Sequence, residues 1–192
     1  MTERGKMEKG LWYDANFDPE ILKARERADS LCFVFNQTDP ADHEKKEEIL
    51  RELLPELGDQ VTILSPLYAD YGIYTKIGSG TFINHNAYLM DGGTITIGER
   101  CFIGPNCGMY TAIHPLQAKS RNAGLEIAKP IVIKDNVWIA ADVTILPGVT
   151  IHEGAVIGAR SLVNHDVPPN TFAAGSPCRE IRKIDQEEEL LP

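Results

Sequence analysis

The residue best placed for chemistry in this 192-residue chain is a single histidine. His114 lies in MYTAIHPLQAKS (109–120), where a regular pattern of aliphatic residues stops and a proline follows. Unperturbed imidazole titrates near neutral pH, so it suits the task of taking a proton from a hydroxyl group and handing it on. The four cysteines are less promising. Cys32, Cys101, Cys107 and Cys178 lack the paired C-x-x-C spacing of zinc or redox sites. Cys101 and Cys107 stand six positions apart, in step with the aliphatic pattern, and read as small core residues.

A base is useful only if something rigid holds it, and the pattern around His114 supplies that frame. Aligned by sixes, the chain reads IGSGTF (77–82), INHNAY (83–88) and LMDGGT (89–94), then IGERCF (97–102) and IGPNCG (103–108). After an interruption come IKDNVW (133–138), IAADVT (139–144), ILPGVT (145–150), IHEGAV (151–156), IGARSL (157–162) and VNHDVP (163–168). Outside the interruption, the one break in phase is a two-residue slip at 94–96. A six-residue period does not keep one face of a 3.6-residue helix, and this density of glycine would be costly in one. It fits a β-solenoid, in which each hexapeptide is a short strand plus a corner and each coil is stable only on its neighbours. These units resemble those of the hexapeptide-repeat acyltransferases, and the three hexapeptides per coil that this resemblance implies would stack positions 77, 97, 133 and 151 on one strand and 83, 103, 139 and 157 on the next. Strand residues alternate in and out, so the residue before each opener faces outward. On the second strand these are Phe82, Phe102, Trp138 and Val156, an apolar ladder of the kind that marks an interface or ligand site. Met109 and Ile133 are 24 positions apart where six would suffice, so a loop over 111–130 carries His114 at its base.

Residues 1–60 differ in composition. Asp18-Pro19-Glu20 is a helix start, an N-cap followed by proline at the first helical position. Ala24, Ala28, Leu31 and Phe35 continue it at spacings of four, three and four. Asp39-Pro40 reads as the opening of a second helix containing Ile49, Leu50, Leu53 and Leu54 and stopping near Pro55. Two short amphipathic helices of this kind are expected to cover one end of the solenoid. The chain thus divides into a helical module (1–60), a solenoid domain (61–185) and an acidic tail (186–192). Residues 1–10 are too polar for a signal peptide and no apolar run nears 18 residues, so a cytoplasmic protein is expected. A net charge of −9 argues against nucleic acid and anionic membranes. Between Gly158 and Lys183, however, Arg160, Arg179, Arg182 and Lys183 outnumber Asp166 and Glu180, a local balance that suits a phosphate-bearing ligand.

The hexapeptide units resemble the hexapeptide-repeat acyltransferases, which implies an all-β solenoid, a left-handed parallel β-helix with three strands per coil. GLWYDANFDPEILKARERADSLCFVFNQT is similar to the N-terminal module of sugar O-acetyltransferases of the maltose and galactoside type. YTAIHP, with RNAGLEIAKPIVIKDNVWIAADVTILPGVTIHEGAVIGA, extends the likeness over nearly the whole chain. The resemblance implies transfer of an acetyl group from acetyl-CoA to a sugar hydroxyl, with no metal and within a homotrimer. It assigns His114 as general base and Asn84 as its partner at the acceptor hydroxyl. Asp14, Asp70, Asp91 and Glu126 match acidic or polar acceptor positions. Trp138 matches a tryptophan beside the pantetheine arm, and the Ala141 N–H the donor to the thioester carbonyl, where galactoside enzymes carry serine. Ala159, His165, Arg179 and Arg182 match the remaining coenzyme A contacts, although relatives carry lysine and threonine near His165 and Asn164. The expected cleft has Asn84 and His114 of one chain facing Trp138 and Ala141 of the next.

Other classes built on the same repeat fit this sequence less well. A γ-type carbonic anhydrase on the same scaffold needs a third clustered histidine, and Lys119 occupies its region. A non-catalytic trimeric solenoid gives no reason for the long loop. Serine acetyltransferases carry a much longer helical N-terminal region, and antibiotic-modifying enzymes lack the short module.

Overall fold

The computed structural model describes residues 1–188, so the last four residues of the expected acidic tail lie outside it. Among the described residues no helix is long and apolar enough to cross a membrane. The solenoid makes about six turns, and its strands form three parallel faces. The first face stacks Glu56–Leu57, Thr75–Ile77, Ile95–Ile97, Ile131–Ile133 and Thr150–Ile151. The second runs from Thr62–Ile63 through Phe82–Ile83, Phe102–Ile103, Trp138–Ile139 and Val156–Ile157 to Thr171–Ala174. The third holds Leu67–Ala69, Ala87–Met90, Gly108–Tyr110, Thr144–Ile145 and Leu162–Val163. The first coil begins at Glu56, ahead of the boundary expected at 61, because Leu57 pairs with Ile77.

The registers follow the hexapeptide arithmetic. Ile77, Ile97, Ile133 and Ile151 are Cα partners in succession, as are Ile83, Ile103, Ile139 and Ile157. The openers are buried, and so are the fifth residues of every unit but LMDGGT, Cys101, Cys107, Val137 and Val143 among them. Each buried aliphatic contributes roughly 1.5–3 kcal/mol relative to exposure. The corners between faces need left-handed backbone. After the first face, Gly80, Arg100, Asn136, Gly154 and Asn170 form one column with positive φ, and Asn86, Asn106, Asp142 and Arg160 form another after the second. Gly80 and Gly154 adopt this conformation without a side-chain penalty, and Asn and Asp tolerate it best of the others.

Three helices precede the solenoid, and the first, α1 (Glu3–Glu8), has no counterpart in the sequence reading. The second, α2 (Pro19–Gln37), starts as expected, with Asp18 accepting from the N–H groups of Glu20 and Ile21. The third, α3 (His43–Leu53), is capped by Asp42, three residues past Asp39. Asp39-Pro40 instead forms a turn, in which Asp39 accepts from the Ala41 and Asp42 N–H groups. Ala28, Cys32 and Phe35 of α2 and Ile49, Leu50 and Leu53 of α3 join the solenoid core at its first coil. They close the end that would otherwise expose Ile63 and Leu67.

The interruption is an ordered arm. Ala112–Ile113 pairs antiparallel with Leu125–Ala128, and a short helix, α4 (Ala118–Asn122), spans the tip. A third strand, Tyr13–Asp14, comes from the N-terminal module and pairs with Leu125 and Glu126. The N-terminal module is thereby tied to the arm that carries His114.

Candidate active site

His114 follows the strand Ala112–Ile113, and the imidazole is held across the hairpin. Its Nδ1 lies 3.1 Å from the Leu125 carbonyl oxygen, which can only accept, so Nδ1 carries the proton in the neutral ring. Nε2 is left with the free lone pair, 3.6 Å from Oε2 of Glu126. The imidazole is partly exposed and the carboxylate beside it is almost wholly buried, at 44% and 7% side-chain exposure. The Tyr13 hydroxyl donates to the other carboxylate oxygen, Oε1. Burial and the Glu126 charge push the Tyr13 phenol far above its ordinary pKa, so it stays a donor.

His114 and Glu126 border a cleft of about 370 Å³ between α2, the third face and the arm, lined also by Asn16, Arg25, Asp29, Tyr68, Asp70, Tyr88 and Met90. Asp70 accepts from the Tyr88 hydroxyl at 2.8 Å. Burial lifts its carboxyl above the usual range, against the opposing pull of Tyr88 and Arg25. Arg25 donates to the Ala15 carbonyl at 2.9 Å and stands 5.5 Å from the Tyr71 ring centre. The cleft is therefore rich in hydroxyl, carboxylate and guanidinium groups, a lining suited to a polyhydroxylated ligand.

Of the four expected acceptor-binding residues, the structure brings Asp70 and Glu126 to this cleft with His114. Asp91 is not there. It is fully buried and spends its carboxylate on the Tyr71 N–H, the Tyr74 N–H and the Thr75 hydroxyl, fastening the turn between two coils. Asp14 uses Oδ1 to accept from the Asn16 and Phe17 N–H groups, and its neighbour Asn16 lines the cleft instead.

Asn84 is also elsewhere. Its N–H bonds the Ile103 carbonyl, and Gly104, Ala140 and Gly158 repeat that bond up the solenoid, so all four stand in one column after the second face. His114 belongs to the corner after the third face, on a different edge of the solenoid. The expected grouping of Asn84 with His114 on one chain is therefore corrected: within a chain, Asn84 shares its edge with Ala141 and Ala159. The ladder Phe82, Phe102, Trp138 and Val156 is in register on the adjoining face and extends to Phe172. Phe102 and Trp138 are more than half exposed. Among the described residues the Ala141 N–H donates no hydrogen bond within the chain. Arg179 and Arg182 lie on a terminal antiparallel strand, Arg179–Lys183, that adds to this second face opposite Ala174 and Phe172. His165 is exposed at the corner after the third face, its Nδ1 2.8 Å from Oδ1 of Asn164. Exposed aromatic surface, a free backbone donor and an open basic strand fit a long ligand with an apolar arm and an anionic end.

Tyr13, Asn16, Arg25, Asp29, Tyr68 and Tyr88 were not among the expected residues. Tyr88 was within reach of the period: it precedes the opener Leu89 and so faces outward by the rule that found Trp138. The others enter only through packing of the N-terminal module. Among the described residues no group of three or more His, Cys, Asp or Glu is placed to hold a metal ion.

Comparison with known proteins adds the chemistry of relatives. Residues 6–58 match the family model described as the maltose acetyltransferase hexapeptide capping motif. Residues 130–165 match that of the bacterial transferase hexapeptide with six repeats, and residues 94–114 that of the hexapeptide repeat of succinyl-transferase. A candidate acetyltransferase of Staphylococcus aureus strain MRSA252 is 51% identical over 97% of this chain and 94% of its own. A crystal structure of a maltose O-acetyltransferase from Clostridium difficile 630 is 43% identical, covering 97% of this chain and 99% of that one with a TM-score of 0.94. A galactoside acetyltransferase in complex with coenzyme A is 36% identical, covering 96% and 92%, with a TM-score of 0.91.

Proposed function

The chain belongs to the hexapeptide-repeat acetyltransferases of the maltose and galactoside type, and from that premise we propose that it moves an acetyl group from acetyl-CoA to a sugar hydroxyl, with His114 as general base. The observation that carries this reading is the imidazole itself, locked by the Leu125 carbonyl with Nε2 facing a polar cleft. Acetyl-CoA supplies the activated acyl carbon. Nε2 of His114 takes the hydroxyl proton as the sugar oxygen bonds to that carbon, and returns it to the sulfur as the carbon–sulfur bond breaks. The products are the sugar ester and the free thiol, with no net proton change. The Ala141 N–H is available to the carbonyl oxygen as negative charge develops there. Trp138 and its ladder suit the pantetheine arm, Ala159 the turn beside it, and Arg179, Arg182 and His165 the phosphates.

A direct transfer is favoured over an acetyl-cysteine route. Cys101 and Cys107 are buried inside the coils, and burial pushes the Cys107 thiol up to about 11. The sugar is a maltose, glucose or galactoside type of acceptor, as the cleft's acids, tyrosines and Arg25 suit several adjacent hydroxyls. We place the enzyme in the cytoplasm, where acetyl-CoA is available.

One arrangement reconciles the two separated edges. A second copy of the chain brings the Asn84–Trp138–Ala141 edge of one subunit to the His114 cleft of its neighbour, as in a homotrimer with three shared sites. The half-exposed Phe102 and Trp138 would then be covered. The test is a sugar screen with acetyl-CoA, NMR location of the new ester, and the His114→Ala variant. Loss of kcat by roughly 10²–10⁴ with unchanged acetyl-CoA affinity is expected. Activity within threefold of the parent removes His114 as the base.

A further inference from the structure

We propose that Glu126, fixed by Tyr13, is the positioning and charge-balancing partner of His114 and does not act as a sugar contact. The inference rests on the reading of His114 as the base. Three observations carry it. The carboxylate is buried next to the imidazole, with Oε2 3.6 Å from the nitrogen that must accept the proton. Its other oxygen is already taken by the Tyr13 hydroxyl, so the carboxylate is anchored with one oxygen directed at Nε2. The backbone repeats the arrangement: Tyr13 and Glu126 are Cα partners in the antiparallel pair that joins the N-terminal module to the arm. Even the space is fitted, since a Cβ on Gly92 would come within 3.1 Å of the Tyr13 oxygen and 3.3 Å of Oε1 of Glu126.

The consequence is electrostatic. When Nε2 takes the acceptor proton, the imidazolium forms beside a fixed negative charge of low exposure, which favours the charged ring. The groups facing His114 from elsewhere are mixed in sign: Arg25 and Asp29 on α2, and Asp70 with Tyr88 on the third face. Arg25 opposes Glu126 and the two aspartates reinforce it, so the effect of Glu126 is isolated by comparing variants that leave the other groups in place. The N-terminal module is then part of the active site as well as a cap on the solenoid, because it contributes Tyr13.

The experiment needs no acceptor. The imidazole of His114 is followed by NMR at one fixed pH in the full-length protein, its ring signals assigned by loss in His114→Asn. In Glu126→Gln, which preserves shape, the ring 15N and 1H signals of His114 are expected to move, because the carboxylate beside Nε2 is gone. Tyr13→Phe, which frees the carboxylate to turn away, is expected to move them less and in the same direction. With any sugar found to be acetylated, Glu126→Gln should lower kcat with little change in acceptor KM. Unmoved ring signals with a raised acceptor KM make Glu126 a sugar contact and overturn the proposal. Failure of every sugar to accept, with the ring signals still moved, overturns the proposed function and leaves the coupling of Glu126 to His114 intact. If Glu126→Gln does not fold, Tyr13→Phe carries the measurement, and unmoved ring signals in it overturn the proposal.

Discussion

At the scale of single residues, the most instructive contrast is between two acidic groups that look alike in the sequence. Glu126 and Asp91 are both buried, yet Glu126 faces an imidazole and Asp91 faces only backbone and hydroxyl donors. Desolvation outweighs those hydrogen bonds and pushes the Asp91 carboxyl up to about 6. A folded-state value above the unfolded one means that the folded protein holds the proton more tightly. Its contribution to stability is therefore complete below pH 4 and is lost as pH rises through 6. Other acids titrate in the same range, so the informative quantity is a difference. Asp91→Asn is expected to flatten the fall in stability between pH 4 and 7, measured as urea midpoints against the parent. An identical slope in both proteins contradicts the raised value.

At the scale of elements, α2 has two tasks: it caps the first coil through Ala28, Cys32 and Phe35, and it presents Arg25 and Asp29 to the cleft. Its start is fixed by local chemistry, with Asp18 as N-cap and Pro19 pre-set for the first turn. Asp18→Ala is expected to cost about 1 kcal/mol of unfolding free energy. It should also loosen the cleft, because the fraying begins two turns before Arg25. A loss below about 0.3 kcal/mol in denaturant melts, small against that typical cap value, removes the cap from the argument. The arm shows the opposite case. Its strands are short, and α4 has neither a side-chain cap nor a buried residue. The arm depends on the pairing of Leu125 and Glu126 with Tyr13 and Asp14 for its order.

At the scale of the whole molecule, the solenoid separates what the chemistry needs together. Asn84, Ala141 and Ala159 stand on one edge and His114 on another, so on the proposed function one chain offers two halves of a site. Mixing tests this. His114→Ala and Trp138→Ala chains, unfolded and refolded together, should recover activity toward about a quarter of the parent rate, since random trimers place both intact halves at one cleft in four. Without recovery, and with mixed trimers confirmed by native mass spectrometry, each site must lie within one chain.

The solenoid, its registers, the outward aromatic ladder, the start of α2 and the buried cysteines were all legible in the sequence. Each follows from a local rule: a period of six places the same residue at the same point of every coil, and a cap acts within one turn. His114 was legible because it breaks that period. What the sequence did not decide is which edges the period brings together. Asn84 and His114 are 30 positions apart, but the distance between them depends on how three flat faces turn two corners. Tyr13 and Glu126 are 113 positions apart, and only the docking of the N-terminal module makes them partners. Asp91 lies away from the His114 cleft for the same reason, since a carboxylate one residue past a strand can point outward to a ligand or inward to a turn. Local spacing fixes the coil, whereas contacts between the coil, its cap and its arm fix the site, because side-chain chemistry depends on neighbours that no periodic pattern specifies.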